Sequence, residues 1–164
     1  MAFTAFVALP FLIVNWIRFM VERASKGKQL AKFPYKSVGF FIVSIIVAVI
    51  LVQVSASLAR EKALNYLNRL SGDYKLKIND QSVPENEYSQ IIPALSSIAD
   101  QLAHHSHTTT RIRVEIESGN RVLRLELGRD SDRPQEYWVF YPDYGVTSDN
   151  EIGRITTHAF DKYK

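Results

Sequence analysis

Three of the chain's four histidines, His104, His105 and His107, stand within four positions. Imidazole is a common zinc ligand, so this cluster suggests a metal-dependent hydrolase. A zinc site on a helix needs ligands one turn apart, as in H-E-x-x-H, so that both rings face the ion. Adjacent residues on an ideal helix point about 100° apart, and the fourth histidine, His158, is remote in sequence. The spacing favours a helix end over a metal site, with the hydrolase as the alternative.

A charged loop is the second place where chemistry could reside. Asp130 and Asp132 lie between Arg129 and Arg133. Carboxylates flanked by guanidinium groups stay ionised, so the pattern favours a solvated loop, with a binding loop as the alternative. The sequence contains no cysteine, no G-x-S-x-G and no phosphate-binding glycine loop. We therefore expect a non-enzymatic protein that holds neither a metal nor a cofactor.

The segment EYWVFYPDYG, residues 136–145, is the most aromatic stretch of the C-terminal region. On a strand, Trp138 and Phe140 point to one face, and Tyr137 and Tyr141 point to the other. Because the neighbouring predicted strand already supplies leucines for a core, we expect one aromatic set to lie on the open face of the sheet. Exposed aromatic rings beside an Arg/Asp loop are typical of protein interfaces; packing on a helix or on the bilayer is the alternative. The predicted partner-binding residues are Trp138, Phe140, Tyr141, Tyr144, Arg129, Asp130, Asp132 and Arg133.

Two uncharged segments precede these residues. Residues 37–59 form 23 positions without a charge. As a helix they are about 34 Å long, enough to cross a hydrocarbon core of roughly 30 Å. Residues 1–17 are also uncharged and contain Pro10 and Trp16, which predicts a shorter, kinked or tilted first span. An in-plane amphipathic anchor is the alternative for this first segment. Residues 1–59 are thus predicted to be a transmembrane helical hairpin.

The basic charge is concentrated in the loop between the two predicted spans. Residues 18–36 contain six Lys/Arg against Glu22, a net charge of +5, whereas residues 60–164 contain fourteen Lys/Arg against sixteen Asp/Glu, a net charge of −2. The positive-inside rule places this loop in the cytoplasm and both termini in the periplasm of a bacterial inner membrane. The C-terminal region has no basic stripe, which argues against direct nucleic-acid binding.

The region after the second span is predicted to be a stalk helix followed by an α+β domain. The apolar spacing in 60–72 predicts the stalk, and Gly72 is a natural stop signal. The domain covers residues 73–164. Alternation with a period of two predicts strands over 74–78, 111–117, 121–127 and 136–141.

Two further helices are predicted within this domain. The first covers 88–104 and ends at the histidine cluster. The second begins at Ser148, because Ser148-x-x-Glu151 has the form of a capping box. Its predicted apolar face contains Ile152, Ile155, Ala159, Phe160 and Tyr163. After the stalk, the order is βαβββα, which predicts an antiparallel sheet with helices on one face.

This plan resembles the superinfection exclusion protein A type that prophages of enteric bacteria encode. The resemblance rests on the chain length, the N-terminal membrane segments, the basic loop at 26–36 and the single outer domain, and it covers the whole chain in outline. Those small inner-membrane proteins stop the DNA of related phages from entering the cell. The resemblance implies the same role here and assigns no individual residues. Bacteriocin immunity proteins share the same outline.

We therefore expect a membrane-anchored, non-enzymatic binding protein whose periplasmic domain engages a protein partner in the envelope. For exclusion, that partner would be an ejected phage protein that forms the DNA conduit. The alternatives are an immunity protein, a structural subunit of an envelope complex and the metal-dependent hydrolase.

Overall fold

The structure is a computed structural model that describes residues 2–26, 34–101, 105–145 and 150–163. The chain divides into two compact units, Met1–Val54 and Ser55–Lys164. The first unit contains helix α1 (Ala2–Lys26) and the first part of helix α2 (Tyr35–Asn68). The second unit contains the last turns of α2 and an antiparallel sheet.

Helix α2 is the one helix among the described residues that is long and apolar enough to cross a membrane. Its most apolar window has a mean hydropathy of 2.7, and only 6% of that window is buried. This agrees with the span predicted over 37–59. Helix α1 occupies the position of the predicted first span, but the part of the chain described here shows a single candidate span, so the hairpin stays a prediction.

The α+β class and the antiparallel sheet are confirmed, whereas the order βαβββα is wrong. Within the described residues the sheet has six strands in the order β2-β1-β3-β4-β5-β6. The strands are β1 (Tyr74–Ile78), β2 (Gln81–Ser82), β3 (Thr108–Ser118), β4 (Arg121–Asp130), β5 (Glu136–Phe140) and β6 (Glu151–Thr156). Sequence patterning missed β2 because both of its residues are exposed and show no apolar alternation.

The hydrophobic core lies on one face of this sheet, the inner face. It contains alternate residues of the strands, among them Leu76, Ile78, Ile112, Val114, Ile116, Leu123, Leu125, Leu127, Tyr137, Val139, Ile152 and Ile155. Both α-helices of the unit bury residues in the same cluster: α2 contributes Ala63 and Leu67, and α3 (Tyr88–Ser96) contributes Ile91 and Leu95. The predicted stalk is therefore part of the core, and the helix ends at Asn68 rather than continuing to Gly72.

Helix α3 is shorter than the helix predicted over 88–104. It ends at Ser96, and the Ser97 hydroxyl donates a hydrogen bond to the Ala94 carbonyl at 2.6 Å. The chain then turns so that the Ala99 amide and carbonyl pair with the backbone of Arg154, at 3.1 Å and 2.9 Å. This bridge to β6 satisfies backbone groups that a longer helix would have used internally, so tertiary pairing overrides the helical spacing.

The predicted C-terminal helix is wrong, because Glu151–Thr156 forms strand β6; Ser148 lies outside the described residues. Strand β6 pairs Glu151 with Phe140 and Gly153 with Val139, so Ile152 is an extra residue in a bulge. The bulge places Ile152 and Ile155 on the same buried face although they are three residues apart. A spacing of three is typical of a helix, which is why the pattern predicted one.

Gly153→Ala is expected to destabilise the domain by about 3 kcal/mol. Gly153 has φ of +146°, and an added Cβ would lie 2.6 Å from the Ala99 carbonyl oxygen. Urea unfolding of the purified protein measures the loss. Gly145→Ala is the control, since an added Cβ there meets nothing within 4 Å. Equal stability of the two variants would contradict the close approach.

Candidate protein-binding surface

The outer face of the sheet carries a ladder of charged side chains across β1, β3 and β4. Four pairs connect neighbouring strands or the β1–β2 turn: Lys77–Glu117 at 2.7 Å, Arg113–Asp80 at 2.9 Å, Arg124–Glu115 at 3.0 Å and Arg111–Glu126 at 3.2 Å. Exposed pairs of this kind contribute little to stability, about 0–1 kcal/mol each. Their effect is to keep this face solvated and in register. None of the helices in the described part of the chain contributes a buried residue to this face.

The aromatic residues of β5 on this face are covered by arginines. The Arg154 guanidinium lies 3.9 Å from the centre of the Trp138 ring, and the Arg111 guanidinium lies 4.4 Å from the centre of the Phe140 ring. Phe140 is only 4% exposed, and Trp138 is half-buried. The prediction of an open aromatic face is therefore wrong at Phe140. There the Arg111 guanidinium, which reaches across β4 from β3, covers the ring through a cation–π contact.

Arg154 and Glu136 form a buried ion pair that sequence reasoning missed. The Arg154 Nη1 lies 2.9 Å from Glu136 Oε1, and the two residues are 2% and 3% exposed. Arg154 Nε also donates to Glu151 at 3.1 Å. Burial alone would lower the pKa of Arg154, but the hydrogen bonds to Glu136 and Glu151 raise it, so the guanidinium stays charged. The pair fixes β5 to β6 directly beneath the Trp138 ring.

Asp130 organises the loop that follows β4. Its carboxylate accepts hydrogen bonds from the Ser106 hydroxyl at 2.5 Å, from Trp138 Nε1 at 2.7 Å, and from the amides of Asp132 and Arg133 at 2.9 Å. Burial would raise the pKa of Asp130, but these hydrogen bonds hold the pKa well below its ordinary value. The carboxylate therefore stays ionised and holds the loop in one conformation.

Asp130→Asn is expected to lower the free energy of unfolding by at least about 2 kcal/mol at pH 7, because an amide cannot accept all four bonds. A carboxylate with a depressed pKa stabilises the fold above the pKa of the unfolded chain, about 3.9, and this contribution is lost as pH falls through the folded value. The difference between wild type and variant should therefore shrink as pH falls below about 4. Denaturant unfolding at several pH values measures it, with Asp73→Asn, at an exposed carboxylate, as the control. A difference that does not change with pH would contradict this role.

The exposed part of this region is here called the loop surface, defined as residues 131–135 with Gln101 and Thr156. Asp132, Arg133, Pro134 and Gln135 are all exposed, and a cavity of about 370 Å³ lies among Gln101, Arg133, Pro134, Gln135, Glu136 and Thr156. Arg133 reaches Glu136 at 3.5 Å, which connects the loop to the buried ion pair. The loop surface is thus polar, exposed and held in place from below.

The eight predicted partner-binding residues lie in separate places. Four of them, Trp138, Asp130, Asp132 and Arg133, belong to or support the loop surface. The other four do not reach it: Phe140 lies under Arg111, Arg129 binds Asp161 at 2.8 Å, and Tyr141 and Tyr144 pack with the core cluster. Burial raises the pKa of Tyr137, the ring beneath Arg129, to about 12.

The described histidines lie outside the helices and strands. His105 and His107 are exposed and lie beyond the end of α3, so the prediction of a helix end is wrong, and His104 lies outside the described residues. The His107 carbonyl accepts from the Ser131 amide at 2.9 Å, and His158 contacts Asp161 at 2.8 Å. Among the described residues, no group of three or more His, Asp or Glu side chains could hold a metal ion.

The loop surface is polar and exposed, and the hydrogen bonds to Asp130 beneath it hold it in one conformation, so it can serve as a preorganised contact. No family model matches this chain, and neither a curated protein nor a solved structure matches it. A buried carboxylate and a buried ion pair thus lie beneath an exposed loop.

Proposed function

We propose that this chain is a membrane-anchored binding protein whose sheet domain blocks a partner that crosses the bacterial envelope. Helix α2 is the observation that carries the proposal. Its apolar window is 6% buried, while Ala63, further along the same helix, is 0% exposed in the domain core. The exposed apolar part of the helix is suited to a bilayer, and the packed part belongs to the sheet domain. Such a helix would hold the domain at high local concentration beside the membrane.

We propose the membrane orientation that the positive-inside rule predicts. The basic segment 18–36 stays in the cytoplasm, α1 and α2 both span, and the sheet domain faces the periplasm. This arrangement puts both termini outside and leaves the domain where an entering molecule must pass.

The loop surface is the proposed contact for the partner. Its backbone is already fixed by Asp130, so binding would cost little conformational entropy. Its exposed Asp132 and Arg133 offer charges of both signs, which favours specificity for one partner over others. The resemblance to exclusion proteins supports an ejected phage protein as that partner.

The double variant Asp132→Arg/Gln135→Arg tests this proposal. Both side chains are exposed, so the domain should fold normally, while the added positive charge should disrupt binding. On cells that express the protein, plating efficiency of an excluded phage should rise on the order of 100-fold relative to wild type. Immunoblots of the membrane fraction check that the levels are equal.

Asp73→Arg/Gln81→Arg is the matched control, because it makes the same two changes at exposed positions far from the loop surface. It should leave exclusion unchanged. Full exclusion by the Asp132/Gln135 variant would remove the loop surface from the account. Protection against a bacteriocin but against no phage would replace exclusion with immunity while keeping the anchored binding domain.

A further inference from the structure

A groove lies within the second unit, between the last turns of α2, the start of β4 and the turn that follows β5. It has a volume of about 610 Å³, in the range of sites that hold small ligands. One wall is a stripe of α2 with helical spacing, Leu58, Glu61, Lys62, Asn65, Tyr66 and Arg69. The other wall is formed by Arg121, Val122, Leu123, Tyr141 and Asp143.

The groove begins where the uncharged run of α2 ends. Leu58 is the next-to-last residue of that run, and Arg60 is the first charge after it. A second cavity of about 280 Å³ shares Leu58, Lys62, Tyr141 and Asp143 with the groove and extends it along the run to Ser55. The two cavities together therefore reach from charged residues into the apolar part of the helix. This is the polarity gradient of a membrane boundary.

The groove carries charges of both signs that have no ion-pair partner among the described residues. The cations are Lys62, Arg69 and Arg121, and the carboxylates are Glu61 and Asp143. All five are exposed. The groove contrasts with the outer sheet face, where most charges neutralise one another across strands.

Aromatic rings position two of the cations at the groove. The Lys62 ammonium lies 5.7 Å from the centre of the Tyr141 ring, and the Arg121 guanidinium lies 5.5 Å from the centre of the Tyr66 ring. Side chains on a helix lean toward its N-terminus, so Lys62 and Arg69 lean toward the apolar run. The helix therefore starts the Lys62 and Arg69 side chains toward the end of the groove at Leu58.

The geometry points to a phospholipid headgroup with a phosphate and a primary ammonium as the occupant of this groove. The phosphate would contact Lys62, Arg69 and Arg121, and the ammonium would donate hydrogen bonds to Glu61 or Asp143. The second cavity, toward Ser55, would take the start of the acyl chains. This inference rests on the membrane anchoring in the proposed function and is independent of the protein partner.

Binding is measured by calorimetric titration of the full chain in a neutral detergent with short-chain lipids. Phosphatidylethanolamine should bind more tightly than phosphatidylglycerol, which has no ammonium, and than phosphatidylcholine, whose quaternary ammonium cannot donate hydrogen bonds. A basic residue near a phosphate surface is worth about fivefold in affinity. The variant Lys62→Gln/Arg69→Gln/Arg121→Gln should therefore weaken binding on the order of 100-fold.

A second variant, Glu61→Gln/Asp143→Asn, tests the ammonium contact without removing a cation. It should abolish the preference for phosphatidylethanolamine and leave phosphatidylglycerol binding equal or tighter. Lys75→Gln/Arg113→Gln/Arg124→Gln removes the same charge from the outer sheet face and should change neither affinity.

The inference is overturned if the groove variants bind as wild type does, or if inorganic phosphate binds as tightly as phosphatidylethanolamine. Equal affinity for the three lipids in the wild-type chain would overturn it as well. These outcomes are separate from those of the exclusion assay. A chain that binds the lipid but gives no exclusion contradicts the proposed function alone, and the reverse result contradicts only the lipid site.

Discussion

Arg154→Met is expected to lower the free energy of unfolding of the sheet domain by about 3–5 kcal/mol. The substitution leaves the Glu136 carboxylate, 3% exposed, without the cation that lies 2.9 Å away. It also removes the guanidinium from the Trp138 ring. For a domain of about this size, a loss of that magnitude lowers Tm by more than about 10 °C, which calorimetry or circular dichroism measures.

The double variant Arg154→Met/Glu136→Met distinguishes the effect of an unpaired buried charge from the effect of changed side-chain packing. A buried pair replaced by apolar side chains of similar volume is often as stable as the original, so the double variant should recover most of the loss. Arg113→Met is the exposed control and should cost less than about 1 kcal/mol, because its pair with Asp80 is solvated. If the single and the double variants were equally unstable, packing rather than charge would explain the effect.

Ala63→Arg is expected to prevent the sheet domain from folding. Ala63 is 0% exposed where α2 packs into the core, so the new side chain would combine overpacking with a buried unpaired charge. Together these cost more than about 5 kcal/mol, close to the whole stability of a typical domain. The apolar run at 37–59 is unchanged, so the chain should still insert in the membrane while its domain becomes sensitive to protease.

Asn68→Arg is the matched control, since the same side chain is added to the same helix at an exposed position. It should leave the domain as resistant to protease as the wild type. A protease-resistant Ala63→Arg domain would contradict the packing of α2 in the core. Such a result would separate the helix predicted over 60–72 from the core of the domain.

The parts of the fold that the sequence predicted well are those decided by local patterning. Leu123, Leu125 and Leu127 alternate with polar residues, and the Ser118–Gly119–Asn120 turn precedes them, so strand β4 could be predicted with its neighbour β3. The uncharged run of α2 predicts a membrane-spanning helix just as directly, from its length. In both cases the periodicity or length of the segment is sufficient by itself.

The parts that were missed depend on contacts between distant segments. The bulge at Ile152 imitates helical spacing, and the bridge from Ala99 to Arg154 ends the preceding helix early. Because β6 was predicted to be a helix, nothing in the sequence placed Arg154 beside Trp138 or Glu136. The covered aromatic face and the buried ion pair could therefore be recognised only from the register in which β5 pairs with β6.

At the candidate surface, too, the local pattern was predicted and the distant contacts were missed. The charged segment at 129–133 was predicted as a candidate surface from its composition. The roles of its individual residues were not predicted. Asp130 is a buried hydrogen-bond acceptor, and Arg129 reaches Asp161 instead of the loop surface. Arg129 and Asp130 are the last two residues of β4 and alternate between the two faces of the strand, so these adjacent charges serve different faces.

The side of the membrane on which the sheet domain lies is the central claim and can be measured directly. Alkaline phosphatase, which is active only after export to the periplasm, is fused after the last residue of the full chain, and its activity is compared with that of a cytoplasmic reporter fused at the same point. We expect high phosphatase activity and no cytoplasmic signal. An inactive phosphatase with an active cytoplasmic reporter would place the domain inside the cell and contradict its role as a barrier in the envelope.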